Sequence, residues 1–400
     1  MKIKNGILIL GLLPAIVFAQ AKFQEPDSVK KQDVIGLFKT VFHKNGYTPT
    51  PRNYKKISYS FFPVSADVPG AGIALVTTTT AGFYLGDEKT SSLSTIVFSP
   101  FITFSGRVGF AFRSNLWLAS DQYEIMGDTR FLYYPQYTWG LGGNTSNQHS
   151  LSLNYEYLRF YQTFLKAIKP YFLAGVGYYS DAHFDIDTYN DTTSLAKFTG
   201  YSYGTNPSEN SFSSGLSLNI LYDARRNAFN PFPGFYANVV YRFNPRFLGS
   251  TENWHSLYLD WRRYISFSRK GQNMIAIWTY YWTALGSHAP YLDLPSIGWD
   301  PYQQRSGRGF PQNRYRGNRL LYFESEYRRD ITANGILGFV LFSNLNSVSE
   351  PQTNQFSYLH LAGGAGLRIK LNKRLGTNIS LDYGVSRQYS ALYLNLGETF

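Results

Sequence analysis

The 400-residue chain contains no cysteine. That excludes disulfides, thiolate metal sites, a cysteine nucleophile and a lipid-anchored N-terminal cysteine. Charge is also scarce: Asp, Glu, Lys and Arg make up 16%, against about 25% in an ordinary soluble domain. Past the N-terminus no uninterrupted apolar run reaches the roughly 18 residues of a transmembrane helix, so a helical membrane span is excluded. Aromatic side chains are abundant instead, with 7 Trp, 33 Tyr and 31 Phe. Such a composition rules out a disordered chain and argues against a typical cytosolic enzyme.

Residues 1–19 read as a secretory signal peptide. Lys2 and Lys4 form a positive start, Ile7 to Val17 an apolar stretch, and Val17-Phe18-Ala19 a cleavage site before Gln20. An exported, tyrosine-rich chain without membrane helices is either a soluble all-β protein or an outer-membrane β-barrel, whose strands are apolar on one face only.

Alternation separates the two. In 106–118, Val108, Phe110, Phe112, Leu116 and Leu118 share one face, and Arg107, Gly109, Arg113, Asn115 and Trp117 share the other. Residues 256–267, 357–370 and 377–386 repeat this period of two. Strands of soluble proteins average about five or six residues, and these are about twice as long. Sixteen strands are predicted: 57–64, 71–84, 91–104, 106–119, 121–134, 148–162, 170–183, 211–225, 234–244, 254–267, 272–286, 319–330, 334–344, 355–370, 376–387 and 391–399. The predicted fold is therefore an all-β, 16-stranded antiparallel transmembrane β-barrel over 57–400 with a short N-terminal helical extension. Connections from odd to even strands are the long ones, and those from even to odd are mostly short. Outer-membrane barrels keep short turns in the periplasm, so both barrel ends are expected there, in the outer membrane of a Gram-negative bacterium. Within the 20–56 extension, Val34, Ile35, Leu37, Phe38, Val41 and Phe42 recur at helical spacing, which predicts an amphipathic helix over 28–43.

Three stretches carry a resemblance. Tyr222-Asp223-Ala224-Arg225-Arg226-Asn227 is followed by Pro233-Gly234-Phe235. Arg308-Gly309-Phe310 precedes Gly317-Asn318 and then Glu324-Ser325-Glu326-Tyr327-Arg328. Gly364-Ala365-Gly366-Leu367-Arg368 and Asp382-Tyr383-Gly384 precede Gly397 and Phe400. In order and spacing these resemble the barrel of the BamA/TamA-type outer-membrane insertase superfamily, also called the bacterial surface antigen family, over about 56–400. The resemblance implies a periplasmic turn carrying Asp223, Arg225, Asn227 and Gly234. It also implies a sixth loop folded into the lumen, with Arg308 on an acid of the wall. Glu326 matches that acid, and Glu324 shares its strand face. The next strand of the family carries a second acid, but here the matching position is Asn344. The remaining arginines of this region, Arg305, Arg314, Arg316 and Arg319, are expected to be solvated or near the loop base. A terminal Phe400 after Leu392, Leu394 and Leu396 resembles the signal by which barrels are recognised for assembly.

The implied function is insertion, assembly or translocation of outer-membrane polypeptides, or of lipid, through a lateral seam between the first and last strands. A first strand ending at Pro63 suits a weak seam, because proline supplies no ladder donor. The other reading is a passive or selective channel gated by the sixth loop. The segment 20–56 is too short for the periplasmic domains of such insertases. Expected partners are thus outer-membrane lipid, client outer-membrane proteins and a separate periplasmic or lipoprotein partner, with no nucleic acid. No enzyme, cofactor or metal is expected. The six histidines are dispersed and no hydrolase or phosphate-loop motif occurs. The best acidic group, Asp181, His183, Asp185, Asp187, Asn190 and Asp191, lies at the outer end of a strand and in the long loop that follows, and reads as solvated, and His360 as a lumen-wall residue.

Overall fold

The computed structural model describes residues 32–34, 36–37 and 57–400, apart from 69–71, 88–89, 105, 189–192, 207–208, 226–229, 232, 269–272, 287, 299–305 and 374–375. The predicted signal peptide, and the helix 28–43 beyond those five residues, lie outside them. Sixteen strands form the barrel: β1 Ser58–Val68, β2 Gly72–Phe83, β3 Ser94–Thr103, β4 Val108–Leu118, β5 Tyr123–Tyr133, β6 Leu151–Lys169, β7 Phe172–Thr188, β8 Glu209–Asp223, β9 Gly234–Asn244, β10 Trp254–Ser266, β11 Asn273–Leu285, β12 Arg319–Asp330, β13 Leu337–Val348, β14 His360–Asn372, β15 Thr377–Ser386 and β16 Ser390–Leu396. A short piece, Gln136–Thr138, continues the ladder of β5 along β6.

Each strand pairs antiparallel with the next, from β1 and β2 to β15 and β16. β1 and β16 also lie side by side, but among the described residues no hydrogen-bonded register joins them. The barrel is nearly closed, with one seam.

Alternation fixes what faces where. On β10 the inward residues Ser256, Tyr258, Asp260, Arg262 and Tyr264 are all buried, while Leu259 and Ile265 are exposed. Phe98, Phe110, Phe112, Phe131, Phe160 and Phe164 are exposed as well, and they form an apolar outer face. In water this band would cost about 25 cal/mol per Å². Its solvent is therefore hydrocarbon, as for membrane barrels.

Several strands depart from prediction, β1, β6 and β7 among them. β1 does not end at Pro63: it runs on to Val68, with Pro63 opposite Thr77. A proline is tolerated there because β1 borders the seam and one of its sides carries no ladder. β6 and β7 extend to 19 and 17 residues. Their hairpin projects past the end of β5 on the side of the long loops, and Leu151, Leu153, Tyr155 and Ile186 turn inward there. Part of the predicted loop 184–210 is thus strand.

The ends differ. The connections 134–150, 189–208, 245–253, 286–318 and 349–359 gather at one end, hereafter the loop end. The start of β1 and the finish of β16 lie at the other, the terminal end. At the terminal end one helical turn of the N-terminal segment is docked. Asp33 accepts from the Gly36 N–H at 2.6 Å and from the Lys373 N–H at 2.7 Å. The Gln32 N–H donates to the Asn334 carbonyl.

Candidate functional site: the inserted loop and its lock

The 286–318 connection turns back into the barrel. Its outer arm is pinned at the loop end, where Tyr291, Leu292 and Leu294 pack with Leu195, Tyr155, Leu151 and Trp254. Leu195 belongs to a short helix, α1 Leu195–Thr199, in the 189–208 connection. Asp293 accepts from the Ser213 hydroxyl at 2.6 Å. Burial, then the nearby Asp181 carboxylate, push the Asp293 carboxyl up to about 7. Arg316 donates to the carbonyls of Tyr291, Leu292 and Leu294, and Arg314 to Thr145 and Asn147. Both were expected to be solvated or near the loop base, yet both are buried. The reason is that their forks cap loop carbonyls and side-chain oxygens that would otherwise have no donor. Arg319 is half-buried at the start of β12, and Arg305 lies outside the described residues.

The inner tip is Gly307-Arg308-Gly309-Phe310. Gly307 and Gly309 have φ of 75° and 93°, a left-handed backbone that glycine adopts freely. Together they turn the Arg308 side chain toward β12. Arg308 is 2% exposed. Its Nε bonds Glu324 at 3.1 Å, and its Nη1 bonds Asp382 at 2.6 Å. Its Nη2 is shared between Glu324 and Glu326. The guanidinium lies over the Phe342 ring, 3.6 Å from the centroid, a desolvated cation–π contact. The Gly307 N–H donates to the Tyr322 hydroxyl, which itself donates to Glu324.

The network extends toward the terminal end. Arg328 pairs with Glu326 at 2.5 Å. Arg368 pairs with Asp382 at 2.5 Å and with Glu398 at 2.7 Å. Three arginines and four carboxylates thus share one dehydrated cluster, where fork-shaped pairing is strong.

Arg308, Glu324, Glu326 and Asn344 converge here, and Asp382 joins them. The second acid is Asp382 on β15. It lies on the polar face of 377–386, and the fold of the barrel brings it to the loop tip. Asn344 is no weakened acid: its Nδ2 donates to the Arg308 carbonyl at 2.8 Å, a bond no carboxylate can make. Asn344→Asp is therefore expected to loosen the loop. It would set a carboxylate against a carbonyl oxygen and beside its cross-strand partner Glu324. The loss should be about 1–3 kcal/mol, read as a lower unfolding temperature of the folded barrel. A higher temperature would refute this role for Asn344.

The predicted loop and turn motifs take structural posts. The Gly317 N–H bonds the Pro295 carbonyl, and the Asn318 carbonyl accepts from Ala284. A Cβ on Gly317 would lie 2.6 Å from the Ser349 carbonyl oxygen. Asp223 binds Arg225 through both oxygens, at 2.9 and 2.7 Å, and Arg225 lies over the Tyr236 ring. Gly234 admits the neighbouring backbone, since a Cβ there would sit 3.1 Å from the Arg225 Cα. Asn227 lies outside the described residues.

Phe400 does not prolong the last strand. β16 stops at Leu396, Gly397 turns with φ 105°, and Glu398 and Phe400 fold into the lumen. The Phe400 ring packs 5.3 Å from Trp278, under Arg328. Burial against aromatics outweighs a lipid-facing strand position here.

The acidic group divides. Asp181 and His183 sit on the β7 wall, within the predicted strand 170–183. Asp181 accepts from Arg242 at 2.6 Å and from the Tyr157 and Tyr161 hydroxyls at 2.5 Å. A register shift between His183 and Ile186 takes in Asp185, and both Asp185 and Asp187 are exposed. Asn190 and Asp191 lie outside the described residues. His360 stacks on Tyr315 with centroids 3.6 Å apart.

No protein-family model matches the sequence, and no curated protein does either. Solved structures do match the fold. BamA from Haemophilus ducreyi lacking POTRA domains 1–3 aligns with TM-score 0.51 and 12% identity, over 86% of this chain and 69% of that one. CdiB from Acinetobacter baumannii aligns with 0.54 and 12%, over 86% and 60%. CdiB from Escherichia coli aligns with 0.56 and 10%, over 86% and 62%. The chain therefore spans 60% to 69% of those structures, and it shares their barrel fold.

Proposed function

We propose that the chain is an outer-membrane barrel that inserts, assembles or translocates outer-membrane polypeptides through the seam between β1 and β16. The observation that carries this reading is the seam itself. Among the described residues it is the one junction of neighbouring strands without a register. Free strand edges are templates for another chain's strand. The axial route is filled by the inserted loop and its salt-bridge cluster, which favours lateral over axial passage. The likeness in fold to BamA and CdiB supports the same class of role. The gathering of the long connections at the loop end supports a terminal end in the periplasm. Lipid surrounds the barrel, client outer-membrane proteins meet the seam, and a separate periplasmic or lipoprotein partner delivers them.

The test locks the seam. Cysteine pairs placed across 57–64 and 391–399 are oxidised, and insertion of a reporter barrel is followed before and after reduction. The expected result is loss of insertion on oxidation and recovery on reduction. Full activity in the locked barrel overturns lateral passage. Steady bilayer conductance that rises in Arg308→Ala would instead favour the channel.

A further inference from the structure

The loop tip is held by the last strand as well as by the wall. The Gly309 N–H donates to the Tyr393 hydroxyl at 2.7 Å, and Tyr393 is 4% exposed. The cross-strand partner of Tyr393 is Asp382, the residue that takes Arg308 Nη1. One strand pair thus grips two consecutive residues of the tip. Gly384, next along β15 on the lumen face, lets the tip lie flat: a Cβ there would stand 2.7 Å from the Gly309 nitrogen.

β16 needs such a hold. It has seven residues, and among those described its far side has no register with β1. One ladder, to β15, fixes it from the side. From the lumen it is held by Tyr393 and, past Gly397, by Glu398 on Arg368. The second hold secures the strand's end, and the first secures its middle.

We propose that Tyr393 is a positioning residue that latches β16 to the inserted loop, so that seam opening requires the tip to release the strand. The inference rests on the lateral reading for its purpose, though the latch is measurable without any client. Removing the hydroxyl leaves a buried Gly309 N–H without its acceptor and frees the middle of β16.

The chain has no cysteine, so spin labels at Phe61→Cys on β1 and Leu392→Cys on β16 report the seam alone. Both positions are exposed. In Tyr393→Phe the separated population should rise about tenfold, the scale of one buried hydrogen bond. A label pair at Tyr327→Cys and Leu341→Cys, across β12 and β13, should not change. Asp382→Asn, which weakens the other half of the grip, should move the seam the same way and serves if Tyr393→Phe does not fold. An unchanged seam distribution in folded protein overturns the latch. If the seam widens while a disulfide-locked barrel still inserts its reporter, the latch stands and the lateral function falls. If locking stops insertion but neither substitution moves the seam, the function stands and the latch falls.

Discussion

Arg308→Ala should lower the stability of the folded barrel by about 3–5 kcal/mol, the cost of breaking a buried ion pair by removing one partner. Arg308 is the cation common to Glu324, Glu326 and Asp382. Without it, four buried carboxylates face two arginines, Arg328 and Arg368. The carbonyl bond from Asn344 and the Phe342 contact also lose their frame. The loss is read as an earlier shift from the compact to the unfolded form in temperature-graded electrophoresis. It should also appear as tryptic cleavage after Arg314 and Arg316, which are buried while the loop is in place. Arg308→Lys should recover less than half of the loss, since a single ammonium cannot match three carboxylates spread over Nε, Nη1 and Nη2. Asp382→Asn should cost less than Arg308→Ala, because the cluster already holds one carboxylate more than it has arginines. An unchanged unfolding temperature for Arg308→Ala would show that the loop is held by its outer arm alone.

The periodic part of the fold was legible in the residues. Strands such as 234–244 and 319–330 keep their predicted limits, because alternation is local and each inward polar residue is matched by an outward apolar one. The hairpin of β6 and β7 was read too short. Its inner face changes from polar lumen to apolar packing under the 286–318 connection, and that partner lies more than a hundred residues away. The lock was legible where spacing along one strand carried it, as with Glu324, Glu326 and Arg328. It was not where strand register did: Asp382 meets Arg308 because β15 curls round to the tip, and no local pattern encodes that curl. Asn344 was placed at the lock, but its bond is to the Arg308 main-chain carbonyl, a partner that no side-chain pattern marks. Arg314 and Arg316 looked like ordinary loop cations, and a backbone carbonyl acceptor leaves no mark in a sequence. Phe400 followed the rule for a last strand, which Gly397 and the aromatic pocket around Trp278 override.

Gly309→Val should expel the tip although every charge of the lock is retained. Gly309 combines a φ of 93° with a wall on its missing side. A Cβ would stand 2.8 Å from the Ala362 Cβ and 3.1 Å from the backbone N and C of Val385. Those atoms belong to β14 and β15, which cannot shift without breaking ladder bonds. A β-branched residue in a left-handed backbone adds strain of about 1–3 kcal/mol before any clash. With overpacking of similar size the loss should rival that of Arg308→Ala by the same electrophoresis and proteolysis. Gly307→Ala makes the contrast. Its Cβ would stand 2.6 Å from the Ile297 Cγ1 but 3.6 Å from the nearest backbone atom, the Gly298 nitrogen, and alanine adds no β-branch, so the loss should be smaller. The double substitution Arg308→Ala with Gly309→Val then tests whether the tip leaves as a unit. Once the tip is out, neither the salt bridges nor the close approach exists to be lost again. The double variant should therefore be little worse than either single one, a large coupling between adjacent sites. Strict additivity would mean that the charge lock and the glycine seat act separately, with the tip still partly in place after each single change.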